Sequence, residues 1–276
     1  MSNSDTASPG CGSCSLSAQL AQMGVSLGNY DHLVALAGNP NTGKSSVFNA
    51  LTGLHQHVGN WTGKTVTRAE GGYRFQGASY KLVDLPGTYS LLSASQDEEI
   101  SRNFLLFGRP DCTIVVVDTT ALERNLNLVL QVLDITDKVV VCANLMDEAE
   151  RKGLTVDVRS LARDLGVPVV PTVARTKEGL NDLVRTAAEV IAGDVKAKPL
   201  RPAAPAEVQS ALDELVPMIE GLAPGLPNAR WVAFRLLDGD HRVRQALLSG
   251  ELRDLEQEQR SPVEEFSHVI SIEGSQ

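Results

Sequence analysis

The 276-residue chain has no apolar run long enough to cross a bilayer. Its longest such stretches, residues 114–117 and 139–142, are strand-length, against the roughly 20 residues a membrane helix needs. It has no basic excess either, since 25 Lys and Arg stand against 34 Asp and Glu for a net charge of −9. Phosphate backbones select basic faces, so this balance argues against a nucleic-acid scaffold and predicts no nucleic-acid partner. Small phosphorylated ligands stay open, because a few main-chain amides and one Lys suffice to hold them. No basic segment followed by an apolar one opens the chain, so no secretory signal is visible. As given, it reads as soluble and cytoplasmic. Cysteines number only four and do not suggest a disulfide scaffold. Cys112 and Cys142 sit in apolar runs and read as buried thiols. Cys11 and Cys14 form a CxxC with no His or further Cys nearby to close a zinc site. They read as two thiols on a mobile tail, with redox or metal binding the lesser alternative.

Hydrophobic residues make up 42% of the chain and charged residues 21%, enough for a core and ordinary for a soluble protein. The length suits one domain plus a smaller appendage. Residues 1–30 are rich in Ser, Gly and small residues and read as a flexible extension, apart from short apolar spacing at 16–23. Apolar runs at 33–37, 81–83, 113–117, 138–143 and 168–170 then predict strands buried on both faces. Helical spacing at 45–54, 97–107, 122–134, 158–165 and 180–191 separates them. This alternation predicts an α/β fold over residues 31–195, a mostly parallel sheet covered by helices with right-handed crossovers. Pro199, Pro202 and Pro205 mark a linker that opens the region 196–276. Helical spacing at 207–221 and 229–258, broken at Pro217, Pro224 and Pro227, then predicts a small helical domain, with 261–272 as one more helix.

The chemistry is concentrated in the first of these regions. Gly38-Asn39-Pro40-Asn41-Thr42-Gly43-Lys44-Ser45 fits the phosphate loop G-x-x-x-x-G-K-S/T between a strand and a helix that continues through Ser46. The glycines let main-chain amides wrap a β-phosphate at a helix N-terminus. Lys44 would reach the β and γ oxygens, and the Ser45 hydroxyl would bind Mg²⁺. Asp84-Leu85-Pro86-Gly87 follows a neighbouring strand, so Asp84 could hold Mg²⁺ through water and the Gly87 amide could meet the γ-phosphate. Asn144-Leu145-Met146-Asp147 follows a third strand. A carboxylate at Asp147 accepts from guanine N1 and N2, which favours GTP over ATP. Many G proteins carry Lys where Leu145 stands, so weaker guanine binding is expected. Thr172-Val173-Ala174-Arg175 would offer an amide, that of Ala174, to guanine O6. Residues 55–66 read as a connection carrying Thr62 and Thr65, and spacing alone does not choose the switch threonine between them. His55 and His57 in that segment read as solvated loop residues.

Taken together, the phosphate loop, Val58-Gly59-Asn60-Trp61 with Gly63 and Thr65-Val66, and Asp84-Leu85-Pro86-Gly87-Thr88-Tyr89-Ser90-Leu91 closely resemble the N-terminal G domain of the ferrous iron transport protein B family. The resemblance covers residues 33–191 well, and the helical segment from 205 matches the family's GDP-stabilising domain in position and character. It implies a P-loop GTPase fold that binds GTP and GDP and couples hydrolysis to Fe²⁺ uptake through a C-terminal membrane domain. The chain ends before any membrane span, so the expected setting is the cytoplasmic face of the inner membrane, with any oligomer formed through the transporter. The resemblance makes Thr65 the switch threonine, beside Ser45 and Asp84 at the Mg²⁺. It also places Asn41 where cation-dependent G proteins hold K⁺, an ion that supplies charge others take from an Arg finger. Two positions depart from the pattern: Thr62 stands where Pro is frequent, and Lys64 where a small or apolar residue is usual. Lys64 reads as a solvated charge, the sharper hypothesis being that its ammonium partly replaces K⁺.

The expected reaction is in-line attack of water on the γ-phosphate, with Asn41, Lys44, Thr65 and Gly87 as the catalytic set. Thr88 occupies the place where Ras-like proteins carry a water-orienting Gln, so no side-chain base is evident and turnover should be slow. Two rivals stand beside this: a nucleotide-gated binding module whose hydrolysis is incidental, and a soluble GTPase acting on RNA or ribosomes. No Fe²⁺ site is evident in the chain.

Overall fold

The computed structural model describes residues 20–53, 56–92, 95–199, 204–224, 226 and 228–249. A seven-stranded sheet lies at its centre. In chain order the strands are β1 (His32–Gly38), β2 (Gln56–Asn60), β3 (Thr67–Phe75), β4 (Ala78–Asp84), β5 (Cys112–Asp118), β6 (Val139–Asn144) and β7 (Val169–Pro171). They stand in the order β2-β3-β4-β1-β5-β6-β7. From β4 to β7 every pairing is parallel, while β2–β3 and β3–β4 are antiparallel.

Period-two alternation divides each central strand between two cores. Leu33, Ala35, Val115, Val117, Val139 and Val141 point to one face. Val34, Leu36, Ile114, Val116, Val140 and Cys142 point to the other. On the first face lie α2 (Gln96–Phe107), α3 (Leu122–Ile135) and α5 (Val158–Leu165). On the second lie α1 (Lys44–Thr52) and α6 (Leu180–Ala192). A short α4 (Met146–Arg151), absent from the sequence expectation, leads out of β6. A third core joins α7 (Ala206–Leu222), α8 (Ala229–Leu237) and α9 (His241–Ser249) through Leu212, Ile219, Trp231, Val232 and Val243. Leu106 and Phe107 of α2 enter this helical core, whereas Phe104 and Leu105 enter the sheet core. One helix therefore binds the two units together, and each such side chain contributes about 1.5–3 kcal/mol on burial.

Besides α4 and β3, neither of which the sequence reading gave, the structure departs from it in four places. Residues 56–60, expected as part of a connection, form the edge strand β2, and His57 lies in it opposite Glu70. Val58 is the lone large apolar residue of that strand and is exposed, so no alternation signalled it. Residues 20–30, expected in the flexible extension, are packed, with Leu20 and Val25 buried in the sheet core. Pro217 does not break its helix: α7 runs through it. The missing N–H is a local cost, and Leu212 and Ile219 on either side pin both halves into one core. The 229–258 stretch is interrupted after Leu237, where Asp240 accepts from the Val243 amide to start α9 and pairs with Arg235 at 3.2 Å. His55, Cys11, Cys14, Pro227 and residues 250–272 lie outside the described residues.

Candidate functional site

The parallel strands β4, β1 and β6, the last set off from β1 by β5, end along the same edge of the sheet, and each delivers one of the sequence motifs at its C-terminal tip. β1 ends at Gly38, and α1 begins at Lys44. Asn41 and Gly43 in between take left-handed backbone angles, φ 66° and 80°. Gly43 is required on two grounds: that angle, and the side chain of Asn144, whose Nδ2 would lie 2.4 Å from any Cβ there. Thr42 is buried, and its hydroxyl donates to the Asn39 carbonyl at 3.0 Å, which closes the turn. Asn39 is buried as well, with its Nδ2 unpartnered among the described residues. A buried, unused donor inside the phosphate loop is consistent with an anionic ligand there.

Asp84 and Gly87 come to the same loop. Lys44 Nζ donates to Asp84 Oδ1 at 2.5 Å and to the Leu85 carbonyl at 2.7 Å. The Thr88 amide donates to the Gly38 carbonyl at 3.3 Å, and a Cβ on Gly87 would stand 3.5 Å from Pro40. Burial pushes the Asp84 carboxyl above its ordinary value, and the Lys44 ammonium opposes this. Ser45 and Ser46 are exposed at the start of α1. Ser45 Oγ and the Asp84 carboxylate are hard oxygen donors of the kind Mg²⁺ takes, so these residues fit that ion.

Asn144 is the joint between the phosphate loop and the loop that follows β7. It is fully buried. Its Nδ2 donates to the Thr42 carbonyl at 3.0 Å, and its Oδ1 accepts from Thr172 Oγ1 at 3.2 Å and from the Ala174 amide at 3.0 Å. This corrects one expectation. The Ala174 amide serves the protein's own Asn144, and the Val173 amide serves the Glu178 carbonyl at 3.1 Å, so neither is presented toward a base. Leu145, in a left-handed conformation, passes the chain to α4 and packs toward Gly43.

Asp147 sits in the first turn of α4, and its carboxylate meets Arg175 Nη2 at 3.1 Å and Arg151 Nη2 at 3.6 Å. The hydrogen bond from Arg175 holds this carboxyl below its ordinary value, with Arg151 adding to the pull. Arg175 was quoted in the sequence motif without a role, and its pairing across 28 residues had no local signal. Thr65 is exposed, and no hydrogen bond among the described residues ties it to Lys44, Ser45 or Asp84. Lys64 is neither a free solvated charge nor turned to the phosphate loop. It pairs with Glu99 in the first turn of α2 at 3.3 Å. That pairing removes the geometric basis for its ammonium standing in for K⁺. Among the described residues no cluster of three or more His, Cys, Asp or Glu is placed to hold a metal ion, and no helix is long and apolar enough to cross a membrane.

Residues 32–187 match the family model described as ferrous iron transport protein B, and residues 205–271 match that of the FeoB cytosolic helical domain. A Porphyromonas gingivalis Fe(2+) transport protein A/Fe(2+) transporter FeoB fusion protein is 42% identical over 217 residues, 77% of this chain and 26% of that protein. The chain thus spans about a quarter of the length of that relative. The cytosolic domain of L. pneumophila FeoB superposes with a TM-score of 0.72 at 34% identity, covering 82% of this chain and 89% of that one. The T. maritima FeoB cytosolic domain in a GDP form gives 0.72 at 37% identity, covering 80% and 86%; the same domain is also known in a GMPPNP form. With more than half its length inside the first of these family models, the chain belongs to the ferrous iron transport protein B family.

Proposed function

We propose that this chain is the GTP-binding and GTP-hydrolysing part of a ferrous iron transporter, acting at the cytoplasmic face of the membrane on a membrane domain that carries the iron. The observation that carries the reading is the convergence of three loops at the C-terminal ends of β4, β1 and β6. Lys44 on Asp84, Thr88 on Gly38 and Asn144 on Thr42 lock the three nucleotide motifs into one cradle. Supporting it, the T. maritima relative is known with GDP and with GMPPNP.

On nucleotide entry the Lys44 ammonium exchanges its carboxylate partner for β and γ oxygens, helped by the amides of residues 38–46. Ser45 and Asp84, joined by Thr65, would hold Mg²⁺, which when bound neutralises charge on those oxygens. Asn41 would hold K⁺ close by, so turnover is faster in K⁺ than in Na⁺. Water attacks the γ-phosphorus in line, its oxygen forming the new bond as the bridging bond to the β-phosphate breaks, and GDP and phosphate leave. Gly87 lies over Pro40 to offer its amide to the γ-phosphate. Thr88 is buried and its amide is engaged, so hydrolysis relies on positioning and is slow. Asp147 reads guanine by giving up Arg175 for N1–H and N2–H. The route outward is α2, which starts just after the Asp84–Leu91 segment and ends in the helical core through Leu106 and Phe107.

Titrating labelled GDP and ADP against wild type, Lys44→Ala and Asp147→Ala, in K⁺ and in Na⁺ buffers, tests the reading. Guanine preference should be lost in Asp147→Ala and all retention weakened in Lys44→Ala. Equal affinity of wild type for GDP and ADP would end it.

A further inference from the structure

Arg68, Glu70 and Lys81 form a charged cluster within the sheet side of the molecule, each no more than 8% exposed. None belongs to the nucleotide site. Arg68 Nε pairs with Glu70 Oε1 at 2.6 Å, and Lys81 pairs with Glu70 Oε2. Two cations around one carboxylate leave a surplus positive charge, which burial makes costly unless other acceptors meet it. Residues 20–30 supply them. Arg68 Nη1 donates to the Met23 carbonyl at 3.0 Å, and Lys81 donates to the Ser26 carbonyl. Lys81 also lies 5.9 Å from the centre of the Tyr30 ring.

This strap fits its bed closely. A side chain on Gly72 would enter the Tyr30 ring, its Cβ 2.2 Å from Cε1. A Cβ on Gly24 would lie 2.3 Å from Arg68 Nη1 and 2.8 Å from Thr62 Oγ1. Thr62 belongs to the segment that bears Thr65, so the strap touches that segment directly. Arg68 makes a second connection: the Nη1 that binds the strap also donates to the Asn60 carbonyl at 3.2 Å, and the guanidinium stacks on Trp61 at 5.6 Å. Asn60 and Trp61 open the tight turn 61–66, closed by Trp61 N–H to Val66 O at 3.0 Å and Lys64 N–H to Trp61 O at 3.0 Å. The strap lies ahead of residue 32, where the match to the ferrous iron transport protein B model begins.

We infer that residues 20–30 act as a strap that positions the switch turn 61–66, with Arg68 as the positioning residue joining the two. Because one guanidinium nitrogen serves both carbonyls, strap docking and turn position are linked: whatever releases the strap from Met23 and Gly24 loosens the turn, and the reverse holds. The consequence for hydrolysis rests on the proposed role of Thr65; the linkage itself does not.

Hydrogen–deuterium exchange on the full chain tests it, comparing wild type with Gly24→Val and Arg68→Lys. The first drives a side chain into Arg68 and Thr62, and the second keeps the charge but deletes the fork. Amides of residues 20–30 and of 60–66 should exchange on the order of ten-fold faster in both variants, with β1, β5 and β6 at wild-type rates. Loss of protection confined to residues 20–30, or none in either segment, overturns the inference. Should Gly24→Val also loosen the central strands, Arg68→Lys decides by the same two criteria. Under the proposed function, kcat for GTP falls several-fold in the variants while GDP affinity stays within about two-fold. A wild type that hydrolyses no GTP would sink that function and leave the exchange result standing.

Discussion

Replacing Asn144 by Ala tests whether the phosphate loop and the base loops are held as one body. The side chain makes three buried hydrogen bonds, to the Thr42 carbonyl, Thr172 Oγ1 and the Ala174 amide. A neutral hydrogen bond is worth ~0.5–1.5 kcal/mol net, so three give roughly 1.5–4.5 kcal/mol. The upper half of that range applies, because Ala leaves a buried carbonyl and a buried amide without their partner. For a chain of this size a loss of 1 kcal/mol lowers the melting point by about 2–4 °C, so a fall on the order of 10 °C is expected. GDP affinity should drop together with stability, since Thr42 belongs to the phosphate loop and Ala174 to the base loop. Thr172→Val is the control. It removes the hydroxyl's bond to Asn144 Oδ1 together with its contact to Cys142 Sγ, leaves the Thr42 and Ala174 bonds intact, and should cost about 1 kcal/mol with little change in GDP binding. Melting curves and a labelled-GDP titration on both variants read the result. An Asn144→Ala protein that melts within about 2 °C of wild type and binds GDP equally well would refute the view of this residue as the joint.

Three further outcomes follow from particular contacts. Arg175→Ala should move the Asp147 carboxyl titration, followed by carbon NMR, up toward its ordinary 3.8; because the folded value is lowered, any stability the pair gives is present above 3.8 and disappears as pH falls through the lowered value, so an unmoved titration would mean the pair does not persist in solution. Cys112 and Cys142 are fully buried and their thiols are pushed up to about 12, so in native protein at pH 8 a maleimide should leave both unmodified, and rapid labelling of either would contradict the packed sheet. Phe107→Ala should cost about 3–5 kcal/mol and speed proteolytic cutting near the linker at residues 196–205, because that ring sits in the helical core; unchanged cutting with an unchanged melting point would show that α2 does not bind the two units together.

The parts of the molecule that were legible in the sequence share one property: the requirement on residue type is local. A phosphate loop needs glycine where the backbone turns left-handed and Lys where the helix starts, so residues 38–45 announced themselves. So did the central strands, whose two-sided burial demands unbroken apolar runs such as Thr113-Ile114-Val115-Val116-Val117. The parts that were not legible are those where one group's meaning depends on a distant one. β3, for which the sequence reading gave no element, places Arg68 and Glu70 at buried positions that are explained only when Lys81 and the carbonyls of Met23 and Ser26 are brought to them. Residues 20–30 looked like loose extension for the same reason, since the carbonyls of Met23 and Ser26 gain their meaning only from Arg68 and Lys81, and Leu20 and Val25 only from the sheet core they enter. The amide of Ala174 was assigned to a ligand because its motif sits at a strand end, yet Asn144, 30 positions earlier, takes it first. In α2 the four residues Phe104 to Phe107 are uniformly apolar, and only the placed helical domain shows that two serve one core and two the other. The nucleotide motifs of this chain are therefore short and local, whereas the proposed route for passing nucleotide state onward runs through pairings across tens of residues. Substitutions that leave every motif intact, at Arg68 or Phe107, are accordingly the ones expected to separate nucleotide binding from its consequences.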